Sequence, residues 1–118
     1  YKIQKRNIVG HSDIAPFRKI DPGEKFPWKE LASKKIGIWH YCEPNFLKRF
    51  RKIKIKEKKE KIKFIKNLNN IGYCFSVKKK FFFIKTVKAF QRRYRKELIN
   101  GLLDKECLII AQNLSKKL

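Results

Sequence analysis

Phe83-Ile-Lys-Thr-Val-Lys-Ala-Phe-Gln-Arg-Arg-Tyr-Arg95 sets Phe83, Val87, Phe90 and Tyr94 at i, i+4, i+7 and i+11. That spacing is the apolar stripe of an amphipathic helix. Lys85, Lys88, Arg92, Arg95 and Lys96 fall on the opposite, solvated face. Upstream, Phe64, Leu68 and Ile71 repeat the spacing, Ile65 widens the stripe, and Gly72 supplies a stop before Tyr73. Downstream, Asn100-Gly101 breaks the pattern. Asp104 can then cap a last helix whose stripe is Leu103, Cys107, Ile110 and Leu114. Three short amphipathic helices with short connections predict a small helical bundle. The Lys-rich tract 48–61 carries Ile53 and Ile55 in alternation with Lys. Its Glu57, Glu60 and many Lys favour an exposed helix over a strand.

The first third of the chain reads differently. Asn7-Ile-Val-Gly10 is a short apolar run that predicts the end of a buried strand. It leads into Gly10-His-Ser-Asp-Ile-Ala-Pro16, and Pro16, Pro22 and Gly23 exclude regular structure in the loop that follows. Pro27 suits the first turn of a helix, in which Trp28, Leu31 and Ala32 share a face and Gly37 terminates. Within the loop, His11 and Asp21 offer an imidazole and a carboxylate, both ligands for a borderline metal such as zinc, and Lys19 adds an ammonium. The plainer reading is that they are polar loop residues, with Asp21 opening a turn that has Pro22 at its second position. His40 and Cys42 form a His-x-Cys pair, a weak ligand signal. Trp39-His40-Tyr41 reads better as a packing segment, and no Cys-x-x-Cys is present.

Gly10-His-Ser-Asp-Ile-Ala-Pro, Arg18-Lys-x-Asp-Pro-Gly and Phe26-Pro-Trp28 resemble, without gaps, the end of the catalytic domain of zinc-dependent N-acetylmuramoyl-L-alanine amidases. This is the family related to peptidoglycan recognition proteins. The resemblance implies that His11 and Asp21 bind one zinc ion and that Lys19 is a catalytic residue beside it. It also places a further histidine ligand and an acidic general base upstream. The chain starts ten positions before His11, so the expectation is a C-terminal portion with an incomplete zinc site, inactive by itself. Ile71-Gly-Tyr73, Ala89-Phe-Gln-Arg-Arg-Tyr-Arg95 and Gly101-x-x-Asp104 resemble the three-helix peptidoglycan-binding domain that follows some of these amidases. The expected fold class is therefore an α+β fragment: the terminal strand, metal-site loop and helix of a mixed α/β amidase domain over 1–43, then a small basic three-helix bundle over 44–118.

Charge supports a division near Pro44. The chain has 32 Lys plus Arg against 10 Asp plus Glu, a net +22. Residues 1–43 hold nine basic and five acidic residues, and residues 44–118 hold 23 and five. Such a field favours polyanions, although compositional drift toward Lys, Ile, Phe and Asn raises charge as well. Arg92, Arg93 and Arg95 are candidate partners for the carboxylates of peptidoglycan stems, against the alternative of a solvated helix face. The expected function is hydrolysis of the bond between N-acetylmuramoyl and L-alanine, with peptidoglycan or muropeptides as partners. The expected location is the bacterial cell envelope or periplasm, with the cytoplasm as the alternative. A non-catalytic basic module for polyanions, nucleic acid or cell-wall polymer, is the competing function, although no specific nucleic-acid motif occurs. No run reaches the roughly 18 apolar residues of a membrane span.

Overall fold

The computed structural model describes residues 3–16, 20–73 and 80–116, except the side chains of Arg6, His11, Lys80, Phe81 and Phe82. A 3-10 turn at Lys5–Asn7 precedes α1 (His11–Ile14), α2 (Trp28–Ser33), α3 (Pro44–Lys48), α4 (Lys58–Asn70), α5 (Lys80–Tyr94) and α6 (Lys105–Lys116).

The described residues are helical, and this corrects the α+β expectation. The backbone is extended at Ile8, but no neighbouring strand pairs with it among the described residues. Without a ladder partner an apolar run cannot become a strand. An isolated antiparallel bridge joins Lys54 to Asp104. It also redirects the Lys-rich tract. The chain turns after α3, and Ile53 O accepts from Lys105 N at 2.9 Å. Residues 49–57 are therefore a loop docked on the start of α6, and the exposed helix begins only at Lys58.

The three long helices follow their stripes. Phe64 and Leu68 of α4, Val87, Phe90 and Tyr94 of α5, and Cys107, Ile110 and Leu114 of α6 share one buried core with Ile71, Tyr73 and Leu47. Phe64 meets Phe90 edge to face, ring centroids 5.3 Å apart, a preferred aromatic geometry. α4 packs along α6, α3 also rests on α6, and α1 and α2 rest on α5. The core continues across position 44. Ile38, Trp39 and Cys42 pack against it, and the Trp39 and Tyr94 rings lie 5.4 Å apart.

Two local devices set the bundle's turns. Asp104 caps α6 by accepting from Cys107 N at 3.0 Å, as its position predicts. Gln91, fully buried, accepts from Asn100 N and Gly101 N and donates to Leu102 O, so one side chain holds the loop between α5 and α6. Gly101 has φ +73°, and a Cβ there would press on Ile84 at 2.9 Å. Both the backbone and the space call for glycine.

Candidate functional site

The His11 loop is built around its neighbours. Ser12 N, one residue after His11, donates to Asp21 O at 2.9 Å. A Cβ at Gly10 would collide with the Pro22 ring, so these two strands of chain touch where only glycine fits. The backbone thereby holds position 11 beside position 21 across the intervening loop. Asp21 is exposed, and its peptide bond to Pro22 is cis. The side chain of His11 and the whole of Phe17, Arg18 and Lys19 lie outside the described residues, so the expected Lys19 role has no geometry here. Among the described residues no three His, Cys, Asp or Glu side chains converge on a point able to hold a metal ion.

Asp13 organises the turn from beneath. It is 3% exposed. Its Oδ2 accepts from Gly10 N at 2.9 Å and from Arg93 Nη1 at 2.7 Å, and its Oδ1 accepts from the Tyr73 hydroxyl. Arg93 Nη2 also donates to Ile8 O at 3.1 Å. The guanidinium lies 3.8 Å from the centre of the Trp28 ring and 5.1 Å from that of Tyr94, both within cation–π range. Burial, then the Asp13 charge, hold the Tyr73 hydroxyl well above its ordinary pKa, so it stays protonated and donates.

Of the three arginines expected from sequence as substrate partners, Arg93 and Arg95 are held inside the fold. Arg93 is committed to Asp13. Arg95, 1% exposed, pairs with Asp104 and with Glu106 at 3.1 Å. Arg51 completes that second cluster with a two-pronged contact to Glu106, 2.8 and 3.0 Å. Neither Arg93 nor Arg95 presents its guanidinium to solvent, so the solvated face expected for Arg95 is absent. A helical stripe built from Phe, Val and Tyr alone leaves these arginines outside the core. What brings them in is an acidic residue elsewhere in the chain, which periodicity does not register. Arg92 is half-buried, and desolvation lowers its pKa.

A cleft of about 890 Å³ opens between α2, α3 and the end of α5, lined by Phe26, Trp39, His40, Tyr41, Lys48 and Glu97 among others. His40 is 9% exposed, stacks on Trp39 at 5.0 Å, and accepts from Cys42 N through Nδ1 at 3.2 Å. Burial, with Lys29 adding repulsion, pushes its pKa down to about 4. The imidazole is neutral near pH 7 and belongs to the packing segment read from Trp39-His40-Tyr41. Cys42 and Cys107 are free thiols, and burial raises the Cys107 thiol to about 12.

No family model matches the chain. N-acetylmuramoyl-L-alanine amidase AmiD of Escherichia coli K12 is 56% identical over 39 residues, 33% of this chain and 14% of that protein. The 1,6-anhydro-N-acetylmuramyl-L-alanine amidase AmpD of Haemophilus influenzae is 59% identical over 32 residues, 27% of this chain and 17% of that protein. Structural likeness extends much further. Escherichia coli AmiD, solved with the substrate anhydro-N-acetylmuramic acid-L-Ala-D-gamma-Glu-L-Lys, matches with a TM-score of 0.79 at 32% identity. That match covers 98% of this chain and 45% of the solved one. AmpDh3 of Pseudomonas aeruginosa, solved with anhydromuramic pentapeptide, matches with a TM-score of 0.77 at 33% identity, over 96% of this chain and 44% of that one. The chain thus spans less than half the length of these structures. Its homologues and structural neighbours are N-acetylmuramoyl-L-alanine amidases.

Proposed function

We propose that this chain supplies the metal-site loop and the helical bundle of a peptidoglycan amidase that cleaves between N-acetylmuramoyl and L-alanine. The observation that carries the reading is the structural likeness to AmiD over 98% of the chain, loop and bundle together. The chain's own geometry supports it, since Ser12 N bonded to Asp21 O holds positions 11 and 21 side by side.

The donor types fit zinc: one imidazole and one carboxylate, with a third protein ligand needed to leave a position open for water. Zinc held there lowers the pKa of a bound water and polarises a carbonyl. His11 and Asp21 are the ligands in this reading, and Lys19 holds a fixed positive charge for the oxygen that becomes negative in the transition state. The substrates in this reading are muropeptides or intact wall, and the location is the cell envelope or periplasm, with the cytoplasm as the alternative. In the enzyme that contains this chain, His11→Ala is expected to remove zinc and abolish release of the stem peptide. Turnover within tenfold of wild type would overturn the ligand assignment.

The charge of the bundle favours a second reading, a non-catalytic module for polyanions. Residues 44–118 carry 23 of the 32 basic residues, and Lys56, Lys58, Lys59, Lys61 and Lys63 are all exposed. Phosphate-driven binding would fall linearly in log affinity against log salt. Retention on peptidoglycan sacculi beside filter binding to DNA separates the two. Tight DNA binding without sacculus retention would favour the second.

A further inference from the structure

Asp13 and Arg93 stand 80 residues apart and meet at 2.7 Å, both almost fully buried. We infer that Asp13, Arg93 and Tyr73 form a positioning cluster that fixes the turn carrying His11 to the helical bundle. The bundle is then part of the scaffold of the site, not a detachable wall anchor.

The contacts bracket position 11 on both sides. Arg93 donates to Ile8 O before it and to Asp13 after it, while Asp13 reaches back to Gly10 N. Tyr73, just past the end of α4, takes the remaining carboxylate oxygen. Helix α5 and the residue just past α4 therefore supply donors to one short turn. Trp28, at the start of α2, lies against the Arg93 guanidinium and fixes its plane. A cluster made for stability alone has little reason to be ionic. Burying charge costs about as much as the pairing returns, and apolar residues of equal volume do as well. Here the bundle already has its apolar core, of which Asp13 is not a member. What an Arg fork and a doubly occupied carboxylate add is direction. Ligand-bearing segments depend on such supports, whose loss typically lowers metal affinity about 10–100-fold.

This inference rests on the amidase reading only in taking His11 as a zinc ligand, and two readouts keep them apart. Amide hydrogen exchange of the chain is measured for wild type, Arg93→Met and Tyr73→Phe, and zinc affinity is measured by calorimetry in the proposed amidase, with its third ligand in place, for these and for Arg93→Lys. Exchange across residues 10–14 is expected to rise at least about tenfold in Arg93→Met and about fivefold in Tyr73→Phe. Amides of α4 and α6 are expected to keep their rates. Zinc affinity should fall about 10–100-fold in Arg93→Met and recover in part in Arg93→Lys. If Arg93→Met fails to fold, Tyr73→Phe, which keeps both charges, decides by the same criterion. Unchanged exchange at residues 10–14 in Tyr73→Phe, or a rise shared equally by α4 and α6, would overturn the positioning role. The proposed amidase, with its third ligand in place, binding zinc equally well with and without the His11 imidazole would remove the ligand reading of His11, and exchange would still decide the cluster.

Discussion

His40 shows how one residue's surroundings become a property of the whole chain. Its imidazole is pushed down to about 4 by burial and by Lys29, with Glu97 opposing, against 6.5 in an unfolded chain. Above pH 6.5 both states are neutral and the residue contributes no pH dependence. As pH falls from 6.5, the unfolded chain takes up the proton and the folded one does not until about 4, so stability drops across that window. His40→Asn keeps an acceptor for Cys42 N and removes the titration. Between pH 6.5 and 4 its urea midpoint should fall less than that of wild type, and equal slopes would contradict the burial of a neutral ring. Read as sequence, His40 is one of two histidines, and its packing role follows from the aromatics on either side. Asp13 was not legible in that way. It lies inside the amidase-like motif beside His11, and nothing local announces that its partners are Tyr73 and Arg93. A buried carboxylate is recognised only when its distant donors are in view.

At the scale of the element, α6 begins where three demands meet on Asp104. Its Oδ1 accepts from Cys107 N, and its Oδ2 accepts from Lys52 N at 3.2 Å and from Arg95. Asp104→Ala removes a helix cap and leaves Glu106 as the one carboxylate on Arg95 among the described residues, and losing one partner of a buried pair costs about 3–5 kcal/mol. The variant should unfold at markedly lower urea with unchanged slope, whereas a loss under about 1 kcal/mol would match an exposed cap only. The helical stripes were legible because α4, α5 and α6 each turn one face into a shared core, which 3.6-residue spacing reports directly. The Lys-rich tract was not. Its fate turns on Ile53 O accepting from Lys105 N, a contact 52 residues away that outweighs local helix preference. The expected strand at residues 7–10 failed for a related reason. Strand formation is a property of a pair, and no neighbouring strand lies among the described residues.

For the whole molecule, the uneven charge and the shared core tell different stories. Charge divides the chain near Pro44, while Trp39, Ile38 and Cys42 pack into the core of the helices beyond it. The Asp13–Arg93 pair adds a polar tie across the same line. Loop and bundle therefore meet through buried groups, in keeping with structural neighbours that match the two together. No helix among the described residues is long and apolar enough to cross a membrane. The +22 charge provides attraction for anionic polymers and says nothing about which one is bound.

The claim on which the functional reading depends is that the side chains at 11 and 21 share a cation. Zinc titration of the proposed amidase with its third ligand in place, followed by NMR of the His11 and His40 rings, addresses it most directly. The His11 ring signals should shift with zinc and those of His40 should not, and Asp21→Ala should weaken the His11 response at least about tenfold. A His11 ring indifferent to zinc, or responding equally with and without the Asp21 carboxylate, would contradict the account.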